Sequence, residues 1–121
     1  MGDPVEEVRR APGLTTVAPS VLVRIAQLTA MSVPGVTRMA GVPASVDRLF
    51  RRGTGEGVQI EVEENRMSAE LYLALDHGAD ARKVGREVQQ AVARAIEQLV
   101  GMEVGQIHVH IEEIDFEQGE S

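Results

Sequence analysis

The chain has 121 residues, enough for one domain with one modest core, and it has no cysteine, which excludes disulfides and thiol chemistry. Its formal net charge of −7 argues against DNA or RNA held through phosphates and against adsorption to anionic lipid, since both need a basic surface. No apolar run approaches the roughly 20 residues that span a bilayer, so direct membrane insertion is not expected and a membrane location would require a partner.

The segment from Met1 to Gly13 is polar, carries two prolines and lacks the apolar centre of a secretory signal; it reads as a flexible tail. A short edge strand is expected at Leu14–Val17. Pro19 to Val33 reads as a first helix, entered with Pro19 in the first turn or with Ser20 as cap, and stopped by Pro34-Gly35. Val21, Leu22, Val23, Ile25, Ala26, Leu28, Ala30, Met31 and Val33 make it apolar almost all round, with only Arg24 and Gln27 marking a polar side. Such a helix is buried on more than one side. The second cover is either another subunit, which makes Val23, Ala30 and Met31 interface candidates, or the long loop that follows.

That loop, Val36 to Glu56, shows no sustained period. One or two helical turns are expected within Ser45–Phe50, and Arg48, Arg51 and Arg52 form a basic cluster ahead of a glycine-rich run. The run is not a phosphate loop, because the Lys-Ser/Thr of that motif is absent.

From Gly57 the pattern alternates. Val58, Ile60 and Val62 oppose Gln59, Glu61 and Glu63; a turn follows at Glu64-Asn65-Arg66, with Asn65 expected at positive φ; Met67, Ala69, Leu71, Leu73 and Leu75 then form the apolar side of a second strand. This predicts an antiparallel hairpin with one apolar face.

Asp80 to Gly101 carries the clearest helical period in the chain. Val84, Val88, Ala91, Val92, Ala95, Ile96 and Leu99 fall on one arc, with Lys83, Arg86, Gln90, Arg94 and Glu97 opposite. Asp80 suits the N-cap and Gly101 a left-handed C-terminal position. Gly85 lies inside the apolar arc, and the reading is either a close backbone approach or a tolerated weak position. A third strand follows, Ile107, Val109 and Ile111 inward and His108, His110 and Glu112 outward; Asp115 to Ser121 reads as an acidic tail.

The element order is α-β-β-α-β in one domain spanning residues 14–114. The expected fold is α+β: a three-stranded, mainly antiparallel sheet in the order 2-1-3 with two helices on one face. The other face would present Glu61, Glu63, Glu70, Tyr72, His108, His110 and Glu112 to solvent or a partner. His108 and His110, two apart on a strand, share that face and are the candidate metal ligands, with Glu61, Glu70 or Glu112 to complete a site. No nucleophile motif is present, and exposed carboxylates keep ordinary acidity and make poor general acids. No catalytic residue and no cofactor is expected.

Several runs in order resemble the bacterial alkaline shock protein family, small domains associated with cell-envelope stress. They are Val17-Ala18 before an apolar helix closing in Ser32-Val33-Pro34-Gly35-Val36, then Gly57-Val58-x-Ile60-x-Val62, Glu70-Leu71-Tyr72-Leu73-Ala74-Leu75-x-x-Gly78, Val84 with Val88, Gly101-Met102-Glu103-Val104, and Ile107-His108-Val109-His110-Ile111. The likeness spans Thr15 to Ile114. Departures are Pro19, where the family usually has an acidic residue, and Asp76-His77-Gly78, where an acidic-aromatic-glycine turn is commoner. The resemblance implies a non-enzymatic, cytoplasmic stress-response protein that self-associates as a homodimer or larger. Some members are similar in being held at the membrane by a separate transmembrane protein, and others are linked to control of lipid synthesis. Two alternatives stand beside it: a regulatory protein binding a metal or small ligand on the sheet face, and an RNA-binding module working through the Arg48–Arg52 loop.

Overall fold

The computed structural model describes residues 15–43 and 53–116. Helix α1, Pro19–Met31, has Pro19 in its first turn, so the missing N–H is one the helix could not have used; Ala18 precedes it without a side-chain cap. Residues 15–18 form no strand. Gly35, at φ +100°, turns the chain into β1, Val36–Met39. Strands β2, Gly53–Gly55, β3, Val58–Glu63, and β4, Arg66–Asp76, follow; helix α2, Ala81–Ala95, continues as a π-helical segment Ile96–Val100 before β5, Glu103–Asp115. The expected turn within Ser45–Phe50 lies outside the described residues.

The fold is α+β, with two helices and a mostly antiparallel sheet, but the sheet is five-stranded and its order differs from 2-1-3. β4 is the central strand. It pairs antiparallel with β3 along Arg66–Leu71 and with β1 along Leu73–Leu75, so these two strands share one of its edges end to end. β5 lies on its other edge and runs parallel to it, while β2 extends the sheet beyond β3. The reason is in β4 itself. Leu71-Tyr72-Leu73-Ala74-Leu75 is an unbroken apolar run, all five buried, as in a strand flanked on both edges, where side chains of the neighbouring strands also shield the outward Tyr72 and Ala74. A crossover through α2 then sets β5 directly beside it. β1 escaped the sequence reading because its four residues carry no alternation, with Thr37 and Arg38 both exposed across a register shift.

Side chains from both helices meet the inner sheet face in one aliphatic core. Leu22, Val23, Ala26 and Ala30 come from α1, Val84, Val88 and Val92 from α2, and Val58, Ile60, Met67, Leu71, Leu73 and Leu75 from the sheet. Asp80 caps α2 by accepting the Lys83 N–H at 3.2 Å, and Gly101 ends the helical run at φ +80°. Leu99, placed on the apolar arc by its period, is 72% exposed. The wider π turn delays its rotation and carries it off the core face. In the hairpin turn it is Glu64, at φ +54°, and not Asn65, that takes the left-handed conformation.

Gly85 permits no close approach: a Cβ there would meet nothing within 4 Å. It is a weak helix position and nothing more. Gly85→Ala should therefore stabilise the domain by about 0.5–1 kcal/mol, read as a rise in urea midpoint at unchanged slope.

Candidate functional site

The chemistry-bearing side chains gather on the outer face of β4 and β5, away from the helices. Parallel pairing sets Glu70 beside His108 and Tyr72 beside His110. The Glu70 carboxylate is the hub. Its Oε1 accepts from the Tyr72 hydroxyl at 3.2 Å and lies 2.8 Å from Nε2 of His110; its Oε2 is 3.9 Å from Nδ1 of His108. The Tyr72 and His110 rings stack, with centroids 4.6 Å apart and planes at 11°.

Tyr72, expected on the face presented to solvent or a partner, lies on that face but is only 2% exposed. The Tyr72–His110 stack and the central position of β4 remove it from water. Burial first, and then the Glu70 charge and hydrogen bond, push its phenol up to about 12. Because the folded value lies above the unfolded one near 10, the fold binds this proton more tightly than the open chain. Stability from Tyr72 is thus complete below about pH 10 and is lost as pH rises toward 12. The chain has one tyrosine and no tryptophan, so phenolate absorbance reports this group alone. The native protein should show its tyrosine ionising about two pH units above the urea-unfolded protein. Identical titrations would contradict the buried placement.

At the other end of β4, Arg38 of β1 reaches across the buried Ala74 to Glu113 and Asp115 of β5. It holds Asp115 through Nε to Oδ2 and Nη2 to Oδ1, each at 3.0 Å, and Thr37 donates to the same carboxylate at 2.7 Å. Hydrogen bonds from Arg38 and then Thr37 hold Asp115 below the usual carboxylate range. Asp115, read from sequence as the start of a tail, is the last residue of β5.

His108 and His110 share a face, as their spacing predicts, and of Glu61, Glu70 and Glu112 it is Glu70 that lies near both, 3.9 Å from His108 and 2.8 Å from His110. Among the described residues, however, no group of three or more His, Asp or Glu side chains is disposed to hold a metal ion. His110 is engaged with Glu70 and stacked on Tyr72 instead. Arg48, Arg51 and Arg52 lie outside the described residues.

The interface candidates need correction. Val23 and Ala30 are 5% and 0% exposed, within the core; of the three only Met31 is outward, at 41%, and it is joined by Val21 at 46% and Leu28 at 57%. These three, with Arg24 among them and Ile25 half-buried at the margin, form one stripe along α1. The available signal was Arg24: in projection Val21, Leu28 and Met31 surround it, whereas Val23 and Ala30 lie about 100° or more away. The pair Ala26 and Ala30, one turn apart, marks the side that packs closely.

The fold and its surfaces define a small α+β domain with a polar hydrogen-bonded cluster on its open sheet face and an apolar stripe on its outer helix. Residues 7–116 match the model of the family of alkaline shock protein 23, described by its cell envelope-related function, and the chain belongs to that family. It is similar to the uncharacterised proteins YqhY and YloU of Bacillus subtilis. The first is 27% identical over 107 residues, covering 87% of this chain and 79% of the relative; the second is 22% identical over 110 residues, covering 88% and 92%. Among solved structures the copper form of MamM CTD has a similar fold, with TM-score 0.55 and 17% identity over 77% of this chain and 82% of that one. Among the described residues no helix is long and apolar enough to cross a membrane.

Proposed function

We propose that this protein is a non-enzymatic scaffold of the bacterial cell-envelope stress response, acting by self-association and by binding a partner. The observation that carries the reading is the stripe of Val21, Leu28 and Met31 on α1, large apolar side chains left in water by a helix whose other side is fully packed. Contiguous exposed apolar surface of this kind is where proteins associate. Two such helices related by a two-fold axis cover each other with the same residues. The family's cell-envelope description supports the setting. The non-enzymatic part is supported by the polar cluster, whose carboxylate and imidazoles stand half-exposed on a sheet face and are tied to one another. In this reading the protein works in the cytoplasm, and a separate transmembrane protein is the partner that would hold it at the envelope. The net charge of −7 opposes close approach of two copies, so association should strengthen with salt.

The test is light scattering after size exclusion at micromolar concentration. The wild type should run as a dimer or larger. Val21→Glu combined with Leu28→Lys removes two of the covering side chains, at least about 3 kcal/mol, which weakens association more than roughly a hundredfold. The variant should be monomeric with unchanged circular dichroism. A variant that assembles as the wild type does would remove α1 from the account.

A further inference from the structure

β5 is 13 residues long and pairs only with β4, so its outer edge has no strand beside it among the described residues. Open edges of this length are templates for another strand, and proteins commonly blunt them with charged side chains, above all lysine, with proline or with β-bulges. Glu103–Asp115 contains no lysine or proline, and its charged side chains are all acidic. It also contains two register shifts, and their placement is informative. Val104, Ile107, Val109, Ile111 and Ile114 stand opposite Met67, Ala69, Leu71, Leu73 and Leu75, the inner positions of β4. The shifts fall between Val104 and Ile107 and between Ile111 and Glu113. They keep all five apolar residues on the helix side, and they place those residues symmetrically about Val109.

The strand is therefore a palindrome in polarity and in backbone irregularity, and both are centred on Val109. We propose that the free edge of β5 pairs antiparallel with the β5 edge of a second copy, about a two-fold axis through Val109 and perpendicular to the sheet. This rests on the reading of the domain as self-associating and gives it a second surface, distinct from the α1 stripe. In this register Ile107 faces the partner's Ile111 and Val104 faces the partner's Ile114, so apolar meets apolar across the joint. His108 faces the partner's His110 on the open face. Each extra residue of one strand meets the extra residue of the other, so pairing continues past both shifts. A pairing displaced by one residue would set the apolar positions against the polar ones.

The surroundings fit. An open groove of about 450 Å³ runs between the free edge and α2, lined by Ala93, Gln89 and Glu97 on the helix side and by Val104 and Ile107 on the strand. The two-fold places the partner's Ile111 and Ile114 on this side of the joint, and Ile114 is 45% exposed in the single chain. Both copies keep their helices on one side, and the product is one continuous sheet. With the α1 stripe, each copy then has two self-complementary surfaces, which link copies into chains.

Cysteine crosslinking tests the register, because the chain has no cysteine of its own. On the axis, Val109 and its copy have Cα atoms roughly 4.5–5.5 Å apart, within the range a disulfide bridges. Ile107 and its copy are separated by four residues along the strands, about 13 Å, which is out of reach. Under mild oxidation Val109→Cys should run as a covalent dimer on a non-reducing gel, and Ile107→Cys should not. His108→Cys and His110→Cys alter only the open face and spare the core; mixed, they should crosslink to each other more than either does to itself. Carried out at concentrations where light scattering shows the wild type assembled, an absent Val109→Cys dimer together with no preferred crosslink in the mixed pair overturns this proposal and leaves the α1 reading standing. Equal crosslinking of Val109→Cys and Ile107→Cys overturns it too. A wild type that is monomeric throughout removes both.

Discussion

Val88→Asp should leave no folded domain in dilute buffer. Val88 is fully buried at the centre of α2, surrounded by aliphatic side chains from the sheet and from α1. The core offers a carboxylate no partner, and burying one unpaired costs several kcal/mol or forces water into the interior. A domain of this size has roughly 5–15 kcal/mol in total, so one such group consumes most of it. Arg86→Asp, two residues away on the exposed side, should change stability by less than about 1 kcal/mol. The expected result is loss of the far-ultraviolet helix signal in the first variant and an ordinary urea transition in the second. Similar melting of both would mean that the face of α2 is wrongly assigned.

Gly57→Val should be the next most damaging change, for a backbone reason. Gly57 lies where the end of β1 and the start of β3 meet along one edge of β4. Its carbonyl accepts the Tyr72 N–H at 2.8 Å, and the Tyr72 carbonyl accepts the Ala40 N–H at 2.7 Å. At φ +73°, a Cβ on Gly57 would stand 2.7 Å from the Ala40 carbonyl oxygen and 2.9 Å from that of Tyr72. The Tyr72 oxygen cannot move without breaking its bond from the Ala40 N–H. Left-handed strain and overpacking together should cost on the order of 3 kcal/mol or more in urea denaturation. Gly101→Ala is the contrast. Its φ of +80° is similar but nothing lies within 4 Å, so only the conformational penalty of about 1–2 kcal/mol should remain. Equal losses at the two sites would show that the β1–β3 joint is not as close as described.

These two positions also show where sequence reasoning succeeds. The α2 face was legible because a 3.6-residue period over four turns leaves one consistent side, and because Asp80 and Gly101 bound it with recognisable end chemistry. The β3–β4 hairpin was legible from strict alternation. The strand order was not read correctly because alternation places residues on faces and says nothing about edges. The evidence for a central β4 lay in Leu71–Leu75 as an uninterrupted apolar run, which the period-two reading divided into an inner and an outer set. The outer face of α1 was misassigned for a related reason. With apolar residues all round, the phase rests on Arg24 and on the size contrast between Ala26 and Ala30 on one side and Leu28 and Met31 on the other. Contacts between residues distant in sequence left no local trace. Arg38 and Asp115 are 77 positions apart, and Glu70 and His110 are 40 apart. The spacing of His108 and His110 correctly placed them on one face, but only the parallel register with β4 reveals that Glu70 and the stacked Tyr72 occupy them.

Self-association of this domain is measured by sedimentation velocity of the untagged wild type over a dilution series. The wild type should form dimers or larger species at micromolar concentration that dissociate on dilution and persist to lower concentration in added salt. A single species with the mass of one chain at every concentration and salt level would contradict it.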